Sequence, residues 1–145
     1  MNFQRLLDQL KHDEGFRYEP YKCTSGVWSI GYGTTRINDD VVTEYTPPIP
    51  ETEASNLLKA DAYEACIAAQ GIFGDFGYLT PLRQEVLVNM AYNLGASGLA
   101  KFTRLVQAVS YQDWEVAAEE MKDSRWYGQV GNRAVRLTEQ MGRGW

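Results

Sequence analysis

The chain has 145 residues, 44% of them hydrophobic and 23% charged, which is enough for one globular domain with its own core and argues against disorder. Its formal net charge of −5 argues against a nucleic-acid-binding protein, because such proteins usually carry a basic surplus that meets phosphates. A single histidine and two widely separated cysteines, Cys23 and Cys66, suggest neither a metal site nor a disulfide framework, and no cofactor is expected.

The first predicted element is a helix over residues 2–14 that ends in an acid. Leu7 and Leu10 lie on its apolar stripe, and the same helical step next reaches Glu14. Gly15 directly afterwards is a natural terminator. The negative end of the helix dipole and partial burial both resist ionisation, so Glu14 could stay protonated near neutral pH. A solvated acid in the last turn is the alternative.

A turn and a strand follow this helix. Pro20 ends any helix, and residues 22–26, which include Cys23, have the composition of a turn. Residues 27–34 then alternate in character, which predicts a strand. Ser29 shares one face of that strand with glycines, so a ligand could approach its hydroxyl. An ordinary hairpin with glycines at its bends is the alternative.

The rest of the chain predicts a small lobe, a linker and a set of helices. The strand region extends to about Glu44, with a turn at residues 38–40, and residues 46–50 form an extended proline-rich linker. Thr52 is placed to cap a helix that runs from Glu53 to about Gln70. Further helices are predicted from Thr80-Pro81 to Gly95, over 99–109 and over 113–121.

These elements predict an α+β, mainly α, chain that forms a single domain over residues 1–145. Within it we expect a small α/β lobe (1–50), a connecting helix (51–70) and a helical lobe (71–145). Asn89 and Asn93 are four residues apart and share a helix face. They could bind a substrate's amide groups, or serve the fold as satisfied buried amides. No secretion signal or membrane-spanning stretch is recognisable, so no membrane anchor is expected.

Several motifs together resemble the phage-type lysozymes, or endolysins, over nearly the whole chain. The most specific pieces are Glu14-Gly15-Phe16-Arg17, Ile30-Gly31-Tyr32-Gly33, Asn89-Met90-Ala91-Tyr92-Asn93-Leu94-Gly95, Ser124-Arg125-Trp126-Tyr127 and Asn132-Arg133-Ala134. The resemblance implies a bilobed lysozyme-like fold with a β-hairpin in the small lobe and a glycan-binding cleft between the lobes. It also implies hydrolysis of the bond between N-acetylmuramic acid and N-acetylglucosamine in bacterial peptidoglycan.

By this resemblance the catalytic residues are Glu14, Cys23 and Ser29, at positions where the family has a glutamate, an aspartate and a threonine. Glu14 is then the general acid, and Cys23 with Ser29 positions or activates water. A thiol in place of the aspartate leaves three roles open: a thiolate base, a neutral thiol that positions water, or a sulfur nucleophile that gives retention. We favour the first two, because related endolysins carry either aspartate or cysteine at this position.

The resemblance also implies a set of substrate-binding residues in the helical lobe: Tyr92, Asn93, Phe102, Arg125, Gln129 and Arg133. Arg133 matches the family's arginine that pairs with the catalytic glutamate. Glu120 departs from the family, which has a substrate-contacting asparagine there. The acidic charge balance is a second departure, and we expect weak adsorption to the anionic cell wall with little dependence on salt.

The same resemblance implies a role in host cell lysis. Peptidoglycan glycan strands are the expected partner, and neither nucleic acid nor a stable oligomer is expected, so the protein should act as a monomer. It would wait in the host cytoplasm until a separate pore-forming holin gives it access to the cell wall.

Two other functions compete with this hypothesis. A cysteine peptidase acting on peptidoglycan cross-links would use Cys23 as nucleophile and His12 as base, although His12 lies on the helix side opposite the apolar stripe. A non-catalytic wall-binding domain would explain why two of the three catalytic positions are altered.

Overall fold

The computed structural model describes residues 1–145 and is mainly helical, with two short antiparallel hairpins. The α+β, mainly α, fold class predicted from the sequence is confirmed. Two compact units are present. The N-terminal unit comprises Gln4–Glu64, and the C-terminal unit comprises Ala65–Trp145 together with Met1–Phe3. None of the helices combines the length and the hydrophobicity needed to cross a membrane.

The first half of the chain contains two helices and two hairpins. Helix α1 spans Phe3–Glu14, and strands β1 (Arg17–Lys22) and β2 (Trp28–Gly31) form the first hairpin. Strands β3 (Arg36–Ile37) and β4 (Asp40–Val41) form the second, and α2 spans Glu51–Ile72. The turn at Asn38 and Asp39 has φ angles of 50° and 68°, which favour a tight two-residue hairpin turn, as the sequence predicted.

Close packing joins β2 to the linker and to the start of α2. A Cβ atom at Gly31 would lie 2.9 Å from Ala54 Cβ and 3.3 Å from Ile49 Cδ1. Ile49 N also donates to Tyr18 O at 3.1 Å, which ties the linker to β1. The extended linker is therefore held by a hydrogen bond to β1 and by close packing against β2.

The second half of the chain contains a short 3₁₀ turn (Phe76–Tyr78) and five helices. They are α3 (Pro81–Ala100), α4 (Thr103–Ser110), α5 (Trp114–Lys122), α6 (Arg125–Val130) and α7 (Asn132–Arg143). Helix α3 is buried on most of its sides over its first half, and α7 packs against α3, α5 and α6. Helix α3 is therefore the central element of the C-terminal unit.

The first turns of α3 hold two segments that are distant in sequence. Arg83 Nε donates to Met141 O at 2.8 Å and Arg83 Nη2 donates to Gly142 O at 3.1 Å. The guanidinium carbon also lies 3.8 Å from the centroid of the Trp114 ring. Two residues further along, the Glu85 carboxylate accepts from the backbone N of residue 2 at 3.2 Å.

The predicted helix starts are partly correct. Thr80 caps α3 by accepting from Arg83 N, as predicted. Thr52, however, lies inside α2 rather than at its cap, because Pro50 O already accepts from Ala54 N and the helix begins at Glu51.

The helices that follow differ more from the prediction. Gly95, with φ 77° and ψ 164°, breaks the helix at the predicted position, and a second helical segment continues after this kink to Ala100. The predicted helix over 99–109 is divided between the end of α3 and α4. The segment that forms α6 and α7 was assigned to the helical lobe, but no individual helix was predicted within it.

Candidate active site

Glu14 is the last residue of α1, where the sequence placed it. Leu6, Leu7 and Leu10 are buried along the helix, and Glu14 is partly exposed at its end. Gly33 has a φ of +87°, and a Cβ atom there would lie 3.1 Å from Glu14 Oε1. The backbone that follows β2 therefore lies directly against the carboxyl group, and a glycine leaves the room that the carboxyl occupies.

Cys23 lies in the turn between β1 and β2, as predicted. Its backbone N donates to Val27 O at 3.0 Å, and its carbonyl accepts from Gly26 N at 2.8 Å. Its Sγ lies 2.9 Å from Ser25 Oγ. This hydrogen bond is the main reason why the pKa of the Cys23 thiol is lowered from its ordinary value. The thiolate therefore forms at a lower pH than it would in an unperturbed cysteine.

Ser29 lies on β2 and is less accessible than its glycine-lined face predicted. It is only 4% exposed, and Tyr21 pairs with it across the hairpin. Its Oγ donates to Val27 O at 3.4 Å, so the hydroxyl proton is already directed at the backbone. The oxygen lone pairs remain available to accept a hydrogen bond.

Tyr21 on β1 links these groups, although the sequence assigned it no role. Burial raises the pKa of its phenol, and the nearby charge of Glu14 and, to a lesser degree, of Cys23 raises it further. Arg17, whose guanidinium carbon lies 4.5 Å from the ring centroid, opposes that shift. Tyr21 therefore lies within electrostatic reach of Glu14 and Cys23, and it pairs with Ser29 across the hairpin.

In the C-terminal unit, three predicted substrate-binding residues lie on or next to α3. Trp126 Nε1 donates to Asn93 Oδ1 at 2.8 Å, and the rings of Phe102 and Trp126 meet edge to face with centroids 6.3 Å apart. Trp126 is 4% exposed, so it is a buried support that joins Asn93 to Phe102. Tyr92, the neighbour of Asn93, is partly exposed.

Asn89 serves the fold rather than presenting its amide to solvent. It is fully buried, and its Oδ1 accepts from Arg133 Nε at 2.9 Å. Of the two readings that the sequence left open for this residue, the satisfied buried amide is therefore correct. The same bond fixes the guanidinium of Arg133, in the first turn of α7, beside α3.

Arg125 and Gln129 lie four residues apart on α6, and both are exposed. Residues at this spacing share a helix face, so the two side chains point to the same side of α6. Ser124 caps that helix by accepting from Tyr127 N at 3.2 Å. No group of three or more His, Cys, Asp or Glu side chains is arranged to hold a metal ion.

The chemistry that the N-terminal unit offers is a proton donor and a second polar group. Glu14 supplies a carboxyl group, Cys23 a thiol whose pKa is lowered, and Ser29 an acceptor oxygen. Cys23 has its side-chain hydrogen bond with Ser25, and none joins it to His12, which is exposed in the last turn of α1. The arrangement suits acid catalysis with water activation better than a cysteine–histidine dyad.

Comparison with known proteins gives one family and several curated relatives. A family model described as phage lysozyme matches residues 11–140. The chain is 27% identical over 157 aligned positions to the probable T4-type lysozyme 2 of Dictyostelium discoideum, covering 91% of this chain and 90% of that protein. The probable T4-type lysozyme 1 of the same organism is 27% identical over 153 positions, with the same coverage. The pre-baseplate central spike protein Gp5 of Enterobacteria phage T4 is 29% identical over 153 positions, which span 92% of this chain and 27% of the spike protein.

Proposed function

Since this chain belongs to the phage lysozyme family, we propose that it hydrolyses the β-1,4 bond between N-acetylmuramic acid and N-acetylglucosamine in peptidoglycan. The family and the T4-type lysozyme relatives indicate a lysozyme-type hydrolase. The observation that carries the finer proposal is the position of the Glu14 carboxyl against Gly33, in the same unit as the Cys23 thiol, whose pKa is lowered.

In this proposal Glu14 is the general acid. Its carboxyl proton passes to the glycosidic oxygen as the bond to the anomeric carbon breaks, and Glu14 is left as a carboxylate. The close backbone at Gly33 restricts the carboxyl to few orientations, which favours a fixed direction of proton transfer.

Cys23 and Ser29 would then activate and position the attacking water. The hydrogen bond from Ser25 favours the thiolate of Cys23, and a thiolate can accept a proton from water as it attacks the anomeric carbon. Ser29 directs its own proton to Val27 O, so its oxygen would accept the second hydrogen bond from that water. This route inverts the anomeric configuration, whereas direct attack by sulfur would retain it after hydrolysis of the intermediate.

We further propose that six side chains of the C-terminal unit contact the glycan: Tyr92, Asn93, Phe102, Arg125, Gln129 and Arg133. Trp126 occupies the Oδ1 of Asn93, so this amide would offer its Nδ2 hydrogens to a carbonyl oxygen such as that of an acetamido group. Phe102, fixed by the same tryptophan, would supply an apolar surface for a sugar ring.

Three variants test the catalytic roles by digestion of purified peptidoglycan and by turbidity clearing of permeabilised Gram-negative cells. Glu14→Gln removes the transferable proton with little change in shape, so lysis should be abolished. Cys23→Asp should retain lysis because a carboxylate can replace the thiolate as base. Cys23→Ala should be severely impaired. Full activity of Glu14→Gln would refute the glycosidase proposal.

The products separate the proposal from its alternatives. A muramidase releases new reducing ends, identified by mass analysis, and NMR of the first-formed anomer distinguishes inversion from retention. A cysteine peptidase would instead release new amino groups and would lose activity in His12→Ala, whereas the proposal expects that variant to remain active. A non-catalytic wall-binding domain would release neither reducing ends nor amino groups from peptidoglycan and would not clear the cell suspension.

The biological setting is a separate part of the proposal. We propose a monomer that acts in host cell lysis and moves from the host cytoplasm to the cell wall through a holin pore. Expression in a Gram-negative host should lyse the culture when the inner membrane is permeabilised and leave it intact otherwise. Lysis without permeabilisation would contradict the need for a holin.

A further inference from the structure

A cavity of about 390 Å³ lies in the N-terminal unit, apart from the residues of the candidate active site. It is bounded by the β3–β4 hairpin, the proline-rich linker and the first turn of α2. We call it the hairpin groove, and its lining residues are Ile37, Asn38, Asp40, Val41, Val42, Thr46, Pro47, Pro48, Ile49 and Glu53. Its volume is at the small end of the range for ligand sites, which suits one side chain with its flanking backbone.

Six of the ten residues that line the hairpin groove are apolar, and part of its wall is held in place. Val41 is 56% exposed on its rim, and Pro47 and Pro48 contribute rigid rings from the linker. The turn that joins β4 to the linker is closed by Thr43 N, which donates to Thr46 Oγ1 at 2.9 Å. A ligand that enters would therefore need to order little of the protein, which lowers the cost of binding.

Two carboxylates line the hairpin groove without a side-chain partner. Residues 37–58 contain five acidic and no basic residues. Among those acids, Glu51 interacts with Lys11 at 3.4 Å. Asp40 from the hairpin and Glu53 from α2 both line the groove, and neither carboxylate makes a hydrogen bond or an ion pair. The cation on the hairpin is Arg36, whose Nη1 donates to Asp39 O at 3.1 Å and which does not line the groove. The lining itself therefore carries two negative charges and no positive one, on two different structural elements.

From this arrangement we propose that the hairpin groove binds a peptide through a lysine-type side chain, with a primary ammonium group on an aliphatic stem. The stem would lie against Val41, Pro47 and Pro48, and the ammonium group would lie near both carboxylates, Asp40 and Glu53. An anionic ligand would be repelled, and a purely apolar one would leave the carboxylates unpaired. The inference does not depend on the glycosidase proposal, because it concerns binding alone.

The test is a titration of the ¹⁵N-labelled protein with acetyl-Gly-Lys-Gly-amide, followed by NMR. The norleucine peptide serves as a matched probe, since it keeps the stem and lacks the ammonium group. We expect saturable shifts of the amides of residues 38–53, with a dissociation constant on the order of millimolar for the lysine peptide, as for a short stem with exposed ion pairs. The norleucine peptide should bind more weakly.

Charge-neutral variants locate the interaction. Asp40→Asn and Glu53→Gln should each weaken binding of the lysine peptide by roughly two- to fivefold, the range expected for one exposed ion pair. Glu44→Gln removes the same charge from the same segment but does not line the groove, so it should leave affinity unchanged. Amide spectra that match the wild type outside the groove show that each variant is folded.

Three results would overturn the inference. One is an equal affinity for the lysine and norleucine peptides. A second is a loss of affinity in Glu44→Gln that equals the loss in Glu53→Gln, which would indicate general attraction to negative charge. The third is the absence of saturable shifts around the hairpin groove at peptide concentrations of about 10 mM, roughly ten times the expected dissociation constant.

Discussion

Replacing Gly33 by alanine should destabilise the fold and also displace the Glu14 carboxyl. The two effects can be measured separately. Gly33 has a φ of +87°, a conformation that costs an L-residue about 1 to 2 kcal/mol. For a chain of 145 residues this lowers Tm by roughly 3 to 7 °C. The new Cβ would also lie 3.1 Å from Glu14 Oε1, so the carboxyl must move by a few tenths of an ångström.

That displacement should reduce catalysis beyond the loss of stability. A misplacement of 1 Å can cost about a hundredfold in rate, so a few tenths of an ångström should lower kcat by about three- to tenfold. The assay is the rate of release of reducing ends from peptidoglycan at a temperature at which the variant is fully folded. Thermal unfolding followed by circular dichroism measures the stability term.

Gly26→Ala is the matched control. Gly26 has a φ of +85°, but a Cβ atom there would meet nothing within 4 Å. Its loss of Tm should therefore resemble that of Gly33→Ala, while its kcat should fall much less. Because Gly26 belongs to the turn that carries Cys23, an unchanged rate of thiol alkylation in both variants would show that this turn is intact. Equal kcat values for the two variants would refute the reasoning.

Three further predictions follow from individual side chains. Ser25→Ala should raise the pKa of the Cys23 thiol, because it removes the hydrogen bond that favours the thiolate, and alkylation of a variant without the other cysteine should shift to higher pH. Arg83→Lys should destabilise the protein by about 2 to 3 kcal/mol in thermal unfolding, because an ammonium group cannot replace the two guanidinium hydrogen bonds and the stacking on Trp114. Burial raises the pKa of Asp61, so the folded state binds this proton more tightly than the unfolded chain, and the carboxyl destabilises the fold as pH rises from 3.8 to the folded-state pKa. Over that interval the Tm of Asp61→Asn should rise relative to that of the wild type, and at higher pH the difference should stay constant.

The sequence predicted the elements that carry a local signal. The apolar stripe that ends at Glu14 predicted α1, and Thr80-Pro81 predicted the start of α3. Asp113, predicted to begin a helix, is the N-cap of α5 and accepts from Val116 N. Each of these features depends on residues within one or two helical turns of each other, which is the distance over which sequence patterns act.

Two helices were missed, for different reasons. Helix α6 has six residues, includes Gly128 and buries only Trp126, so its sequence carries little local signal, and it is held by its packing against α5 and α7. Helix α7 has twelve residues, and its buried Ala134, Leu137 and Met141 recur at helical spacing. Its local pattern was therefore present in the sequence and was overlooked.

The candidate site also combines features that the sequence predicted with contacts that it could not predict. The positions of Glu14 and Cys23 followed from the pattern and from the family resemblance. The contact of Gly33 with the Glu14 carboxyl joins residues 19 positions apart in sequence, and the hydrogen bond of Trp126 to Asn93 spans 33. No periodicity encodes contacts at such separations. The bond between Ser25 and Cys23, only two residues apart, is the one that turn chemistry could have indicated.

The hydrogen bonds from Arg83 to Met141 O and Gly142 O also have a consequence for folding during synthesis. The two ends of the bond to Gly142 O lie 59 positions apart, so at about 5 to 20 residues per second a ribosome needs about 3 to 12 s to deliver the second after the first. During that interval the buried sides of α3 lack the helix that covers them, and the nascent chain presents apolar surface that chaperones recognise. Slow synthesis of this segment should therefore increase the demand for chaperones more than slow synthesis of the N-terminal unit.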